Sequence, residues 1–331
     1  MPSESTQIVV YGATGVLGRE ILVALEGEAL EELSTVQVAG VRSAGQEVPW
    51  PGKALEVLSL DAIDTHEVDI AILATPPEAS ERLATELRER GALVIDCSGA
   101  NHESVTTLGP GYDPAVLEEL ESLVSIANPA AAALAPLVRA VAQVTPVVSV
   151  FATVMVGASM SGRDGQEALS SQTVALLSHR MPDSGPFGGV LAFNLLPEGP
   201  GATSEVDPWA QAARRHLKTL VPSLKDSPVH VQVVQTPIFS GLAVSTTILC
   251  GDPNVEVSSV LEEVDQTDGL LRATEGLAAL RDAMELDGSL LGTLRKDEDG
   301  ALTCWIVSDA LMRTASLVGD VVGRVVRDEL W

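Results

Sequence analysis

At 331 residues, 46% of them hydrophobic and 20% charged, the chain is long enough for two domains with cores of their own. A net charge of −26 at pH 7 excludes a basic footprint, so neither nucleic acid nor an anionic membrane surface is an expected partner. The longest apolar runs, Ser125–Val138 and Pro146–Val156, contain polar residues or proline and fall short of the ~20 residues that a bilayer span needs.

The N-terminal Met-Pro-Ser-Glu-Ser-Thr-Gln lacks a basic segment followed by an apolar core, so no secretory signal is expected. Gln7–Tyr11 is an apolar strand that runs into glycines, and Val16–Leu30 has helical periodicity. Val36–Val41 and Glu56–Leu60 are the next strands. Ile70–Thr75 is a strand entering a Thr-Pro-Pro turn, Glu78–Arg90 a helix, and Leu93–Cys97 a further strand. Strands alternating with helices imply βαβ units and a parallel sheet.

Beyond Pro129 the pattern changes. Ala131–Val144 and Gly165–Ser178 read as helices, and Val147–Val156, Val229–Gln235, Ala243–Leu249 and Thr303–Val307 as strands. Met181–Pro208, rich in Gly and Pro, reads as a long surface excursion or interface arm. Asp309–Arg327 closes the chain as a helix of about five turns. The second half is therefore expected to be a mixed sheet with helices on one face.

Gly12, Gly15 and Gly18 sit between the first strand and the first helix. The first permits a tight turn, the second lets backbone N–H groups approach a pyrophosphate, and the third lets helix pack on strand. An NAD-preferring site places an acid at the end of the second strand to hold the ribose hydroxyls. Here Arg42 and Ser43 stand there, which favours the 2′-phosphate of NADP. The expected cofactor set is Gly12, Ala13, Thr14, Gly15, Val16, Leu17 and Gly18, with Arg42, Ser43, Ala74 and Thr75. Cys97, Cys250 and Cys304 lie far apart without paired spacing, as suits a reducing, cytoplasmic compartment. The five histidines show no metal-ligand spacing, and no metal site is expected.

These motifs, taken in order, resemble the aspartate-semialdehyde dehydrogenases over nearly the whole chain. The resemblance rests on the Gly-Ala-Thr-Gly loop, Arg42-Ser43-Ala44-Gly45, Val94–Ser98, Asn128-Pro129, and Gly162 with Gly165–Leu169. It continues through Leu191–Pro197, Pro237–Gly241 and Trp305–Asp309. The tracts Gln235-Thr236-Pro237 and Cys304–Asp309 resemble in particular the family's Usg-type paralogues, which keep the fold but have lost catalytic residues. The resemblance implies an α/β protein with a Rossmann-type NADP-binding domain over 1–128 and an α+β dimerisation domain over 129–308. It also implies a C-terminal helix, 309–331, returning to the first domain. A homodimer built through the second domain's sheet and the arm around Phe187–Pro197 is implied as well.

The family's reaction needs a cysteine two residues after the Asn-Pro, and here Ala131 stands there. The histidine that moves the proton follows a glycine, and here Leu242 follows Gly241. The substrate-orienting glutamine aligns with Val156, and the phosphate-binding arginine with about His102. Asp309 is followed by Ala310 where the family has Asp-Asn on the nicotinamide side. A thiolate nucleophile and its base are thus both missing, which removes the covalent route. The leading expectation is a catalytically silent homologue that acts through binding, dimerisation or regulation, with its protein partner unidentified. Two alternatives stand beside it. One is an active NADP-dependent semialdehyde dehydrogenase or oxidoreductase with rewired residues, for which Cys97 is the candidate thiol. The other is direct hydride transfer, for which the sequence identifies no general acid.

Overall fold

The structure, a computed structural model, describes residues 5–27, 30, 34–100, 105–119, 122–203, 205–274 and 276–328. His102 lies outside the described residues. The chain divides into two compact units, Met1–Ala127 with Thr314–Trp331, and Asn128–Arg313.

In the first unit the elements run β1 (Thr6–Tyr11), α1 (Val16–Gly27), β2 (Ser34–Ala39), β3 (Glu47–Trp50), β4 (Lys53–Leu58) and β5 (Ile70–Leu73). They continue with α2 (Pro77–Glu89), β6 (Leu93–Asp96), β7 (Thr106–Leu108) and β8 (Leu123–Ile126). The eight strands form one sheet in the order β3-β4-β2-β1-β5-β6-β8-β7. All neighbours are parallel except β3 and β4, an antiparallel hairpin. The central strands are apolar on both faces, as a parallel sheet covered on both sides requires. Ile8 and Val10 pack into one core layer, and Val9 and Tyr11 into the other. The β3 hairpin and the short strands β7 and β8 are additions to the predicted elements. β3 contains Pro49, and β7 and β8 span three and four residues, too short for a period-2 pattern to stand out.

In the second unit come α3 (Pro129–Val144), β9 (Val147–Val156), α4 (Gly162–Leu177), β10 (Leu196–Pro197), α5 (Pro208–Leu220), β11 (Val229–Gln235) and β12 (Leu242–Cys250). After them are α6 (Val257–Val264), β13 (Leu270–Arg272), β14 (Ser289–Lys296) and β15 (Leu302–Ser308). The last helix, α7 (Ala310–Asp328), starts in this unit and from Thr314 belongs to the first. There its Val318, Val321, Val322 and Val325 are fully buried in the first unit's core. The second sheet is mixed, in the order β10-β11-β9-β12-β15-β14-β13. Its inward side chains join α3, α5 and α6 in one large core.

Helix α3 begins where its sequence dictates. Asn128 is the N-cap, its side-chain oxygen accepting from the Ala130 N–H at 2.9 Å, and Pro129 occupies a first-turn position that needs no N–H. The predicted arm 181–208 is only partly an excursion. Gln172 on α4 accepts from the N–H groups of Leu191 and Ala192 and donates to the carbonyls of Asp183 and Ser184. Leu191 and Ala192 are thereby buried, while Phe193 and Leu195 stay 69% and 62% exposed.

Candidate functional site

The glycine loop lies in the first unit between β1 and α1. Gly12 adopts φ +84°, donates to the Ala39 carbonyl at 2.9 Å, and accepts from the Gly15 N–H at 2.9 Å. A Cβ on Gly12 would lie 2.4 Å from the Ala74 oxygen, and one on Gly18 would lie 2.3 Å from the Gly12 oxygen. Packing therefore requires glycine at both. Gly15 is different: its Cβ would meet only the Gly12 oxygen, at 3.1 Å, and its φ is not positive. The bare backbone at Gly15 is more than the turn strictly needs, and it leaves room for a ligand to approach the start of α1. The first N–H groups of that 12-residue helix carry the positive end of its dipole. Ala13 is buried, and Thr14, Val16 and Leu17 are partly exposed around the turn. The residues present fit a dinucleotide pyrophosphate.

The loop after β2 is tied to this turn. The Thr14 hydroxyl donates to the Ser43 hydroxyl at 3.0 Å, and Ser43 is 8% exposed. Arg42 beside it is exposed. On the other side of β1, the Ala74 N–H donates to the Tyr11 carbonyl, and the Thr75 hydroxyl pairs with Ser80 at 2.8 Å. The loop after β2 and the loop after β5 thus flank the glycine turn with mostly neutral groups and one arginine.

The second unit brings Ala131, Val156 and Leu242, three positions at which the resemblance leads one to expect catalytic groups, into one layer. Val156 and Leu242 are direct partners across β9 and β12. The row continues to Gln235 and Leu196 on one side and to Ser308 on the other. Ala131, Val156 and Leu242 are 0%, 1% and 0% exposed and belong to the same apolar core. Alkyl groups therefore stand at all three positions.

The backbone scaffold around them is intact. Gly157, Ala158 and Ser159 donate to the carbonyls of Gly241, Ile238 and Phe239, stitching the turn after β9 to the turn before β12. Gly241 holds φ +87°, with Leu280 and the Ser308 carbonyl against it. The glycines retained here are explained by packing alone. Asn128 also donates its N–H to Nδ1 of the buried His216 on α5, at 2.8 Å. Sequence reading treated His216 only as a rejected metal ligand; its role is to anchor the start of α3. Asp309 is spent as a cap, accepting from the N–H groups of Met312 and Glu285. Arg313 is a second residue that motif reading passed over. It donates to the Gly269 carbonyl and the Ser289 hydroxyl, and burial pulls its guanidinium down to about 10 despite Asp287 nearby.

None of the three thiols is poised as a nucleophile. Burial, then the neighbouring Asp96, pushes Cys97 well above the ordinary thiol range. Burial raises Cys250 and Cys304 as well. A thiol protonated at neutral pH is a poor nucleophile. Among the described residues no group of three or more His, Cys, Asp or Glu could hold a metal ion, and no helix is long and apolar enough to cross a membrane.

Comparison with known proteins matches both units. Residues 7–121 match the semialdehyde dehydrogenase NAD-binding domain, and residues 134–313 the semialdehyde dehydrogenase dimerisation domain. A USG-1 protein homolog of Pseudomonas aeruginosa is 29% identical, covering 98% of each chain. Aspartate-semialdehyde dehydrogenase 2 of Vibrio cholerae is 25% identical, covering 95% of each. The solved structure of a probable aspartate-semialdehyde dehydrogenase from Pseudomonas aeruginosa superposes with a TM-score of 0.89 at 26% identity, over 99% of this chain and 100% of that one.

Proposed function

The chain belongs to the semialdehyde dehydrogenase family, and on that premise we propose that it is a non-catalytic member which keeps the dinucleotide-binding scaffold and the capacity to dimerise. One observation carries the reading: Ala131, Val156 and Leu242 are all buried in a single apolar core, with Val156 and Leu242 side by side. An alkyl group cannot attack a carbonyl carbon or accept a proton. Nor does Cys97 rescue the covalent route, since its thiol is held protonated. The similarity to a USG-1 protein homolog accords with this reading. We place the protein in the cytoplasm, in keeping with three free, separated cysteines.

The cofactor we assign is NADP, held by the backbone from Gly12 to Gly18 with Arg42 and Ser43 at the 2′-phosphate, and Ala74 and Thr75 alongside. When bound, NADP would supply a nicotinamide able to exchange hydride; this chain's own residues only cradle and orient it. Calorimetry should show binding of NADP that is weaker for NAD. Arg42→Ala should bring the two affinities together, a loss of about tenfold or more for NADP if a charge-assisted pair worth 1.5–3 kcal/mol is removed. Equal affinities in the parent would remove Arg42 as a phosphate reader. Absence of binding would leave Gly12–Gly18 a structural relic.

The assembly we assign is a homodimer formed by the second unit, in keeping with the dimerisation-domain match. Phe193 supports it: an aromatic residue held at φ +59° bears a conformational cost while 69% of it stays exposed. Light scattering after gel filtration should give twice the chain mass, and Phe193→Asp should shift the protein towards monomer. One chain mass across micromolar concentrations would sink this assignment.

A further inference from the structure

Arg313, in the first turn of α7, is 7% exposed and is the only buried lysine or arginine among the described residues. Burying a cation is costly unless acceptors answer its donors and a counter-charge answers its charge. Here both conditions are met only in part. Nη1 donates to the Gly269 carbonyl at 2.9 Å and to the Ser289 hydroxyl at 2.5 Å, and these bonds use both of its protons. Nε and Nη2 meet no acceptor among the described residues. Those two nitrogens form one edge of the guanidinium plane. Parallel N–H bonds leave that edge at the spacing of two oxygens of a carboxylate or a phosphate.

The charge is as incompletely answered as the donors. Asp287 is near enough to act on Arg313, but it is exposed and forms no ion pair with it. A second cation, Arg139 of α3, lies close by as well. Helix α3 packs against β13, and the turn leading into β13 joins the two arginines: Asp268 acts on Arg139, and Gly269 accepts from Arg313. Burial pulls both guanidinium groups below the ordinary arginine range in spite of the two aspartates, and Arg139 lowers Arg313 further. Both aspartates face water, which screens them too well to balance cations set deeper. Water can satisfy the open edge of Arg313, but it brings no charge.

We propose that Arg313 and Arg139 form a binding site for a small oxyanion, a carboxylate or phosphate group. The Nε–Nη2 edge of Arg313 is its fork, and Arg139 supplies a second positive charge. Gly269 and Ser289 hold the other end of the guanidinium, so the fork is presented already ordered and little rotamer entropy is lost on binding. The site belongs to the second unit and shares no residue with the glycine turn, so it stands whether or not a dinucleotide binds. It is also separate from the alkyl layer: by the α-helical rise, Arg139 lies about 12 Å along α3 from Ala131. A chain with a net charge of −26 repels anions in general, so an anion bound here is held by this local arrangement and not by the overall field.

The experiment titrates the full chain with sodium phosphate, and separately with sodium acetate, against sodium chloride at equal ionic strength. Melting temperature is read throughout, and phosphate is also followed by its phosphorus NMR line width. The variants are Arg313→Lys, which keeps the charge and loses the fork, and Arg139→Gln. Arg163→Gln is the control for net charge, since Arg163 is exposed on α4 and pairs with Glu167. At least one oxyanion is expected to raise the melting temperature above its chloride value, by about 3–6 °C at roughly ten times its dissociation constant. Phosphate alone points to a phosphate group as the natural ligand and acetate to a carboxylate; either supports the site. Affinity should fall about tenfold or more in Arg313→Lys and in Arg139→Gln, and stay unchanged in Arg163→Gln. Should Arg313→Lys fail to fold because Gly269 and Ser289 lose their partner, Arg139→Gln decides alone. No rise beyond chloride with either oxyanion overturns the site. A rise that survives in Arg139→Gln belongs to another part of the chain and overturns it too. An equal loss in Arg163→Gln reduces the effect to net charge, with the same consequence.

Discussion

Purified protein supplied with aspartate semialdehyde, phosphate and NADP is expected to form no acyl phosphate and no NADPH. The acylating route begins with a thiolate attacking the aldehyde carbon, and the hydride leaves only from the thiohemiacetal so formed. Ala131 has no atom for the first bond, and Leu242 none to take the proton. Loss of residues that act as one unit costs many orders of magnitude, so turnover should lie at least ~10⁴-fold below an ordinary enzyme rate of about 10 per second. Ala131→Cys alone should not restore it. The new sulfur would sit at a fully buried position in an apolar core, with Leu242 where the family's base would be, so nothing there takes up and returns the proton. A coupled assay reading NADPH absorbance, with acyl phosphate trapped as its hydroxamate, checks both proteins. Turnover by the parent within about a hundredfold of that ordinary rate would defeat the non-catalytic reading.

Replacing Gly12 by alanine is expected to be the most damaging single methyl in the first unit. Gly12 holds φ +84°, which costs an L-residue about 1–2 kcal/mol. The new Cβ would also press within 2.4 Å of the Ala74 oxygen, so backbone must move on one side or the other, at a further ~1–3 kcal/mol. Gly45 is the control, with φ +82° and nothing within 4 Å of the corresponding Cβ, so Gly45→Ala bears the conformational cost alone. For units of this size 1 kcal/mol shifts the melting temperature by roughly 2–4 °C. Gly12→Ala should therefore melt about 5–15 °C below the parent and Gly45→Ala only a few degrees below it. Calorimetry on the same proteins should show NADP binding lost in Gly12→Ala and kept in Gly45→Ala. Equal melting losses in the two would mean that close approach at Ala74 contributes nothing.

Both experiments draw on features that were legible in the chain to different degrees. The doubly wound domain could be read from β1, β5 and β6, because strands buried on both faces are continuous apolar runs, and from the glycines of the turn after β1. The strands β9 and β11 could be read residue for residue: Val147–Val156 and Val229–Gln235 are β-branched stretches bounded by clear breaks. That Ala131 and Leu242 carry no reactive atom was legible as well, since alanine and leucine have none in any conformation.

What the residues could not disclose was set by partners far away in the chain. β10 is two residues long and exists only because β11 is beside it, and α5 was hidden behind a Gly/Pro-rich approach that looked like continuous loop. That Leu191 and Ala192 turn inward while Phe193 and Leu195 turn outward depends on Gln172 of α4 holding the backbone between them. That Val156 lies directly beside Leu242, and His230 beside Phe151, depends on sheet register, a one-residue shift of which would send each side chain to the other face. Local sequence determines composition, periodicity and the presence or absence of reactive atoms, because these belong to each segment alone. Only the tertiary structure decided which of those segments lie abreast, because register and burial are properties of pairs of segments.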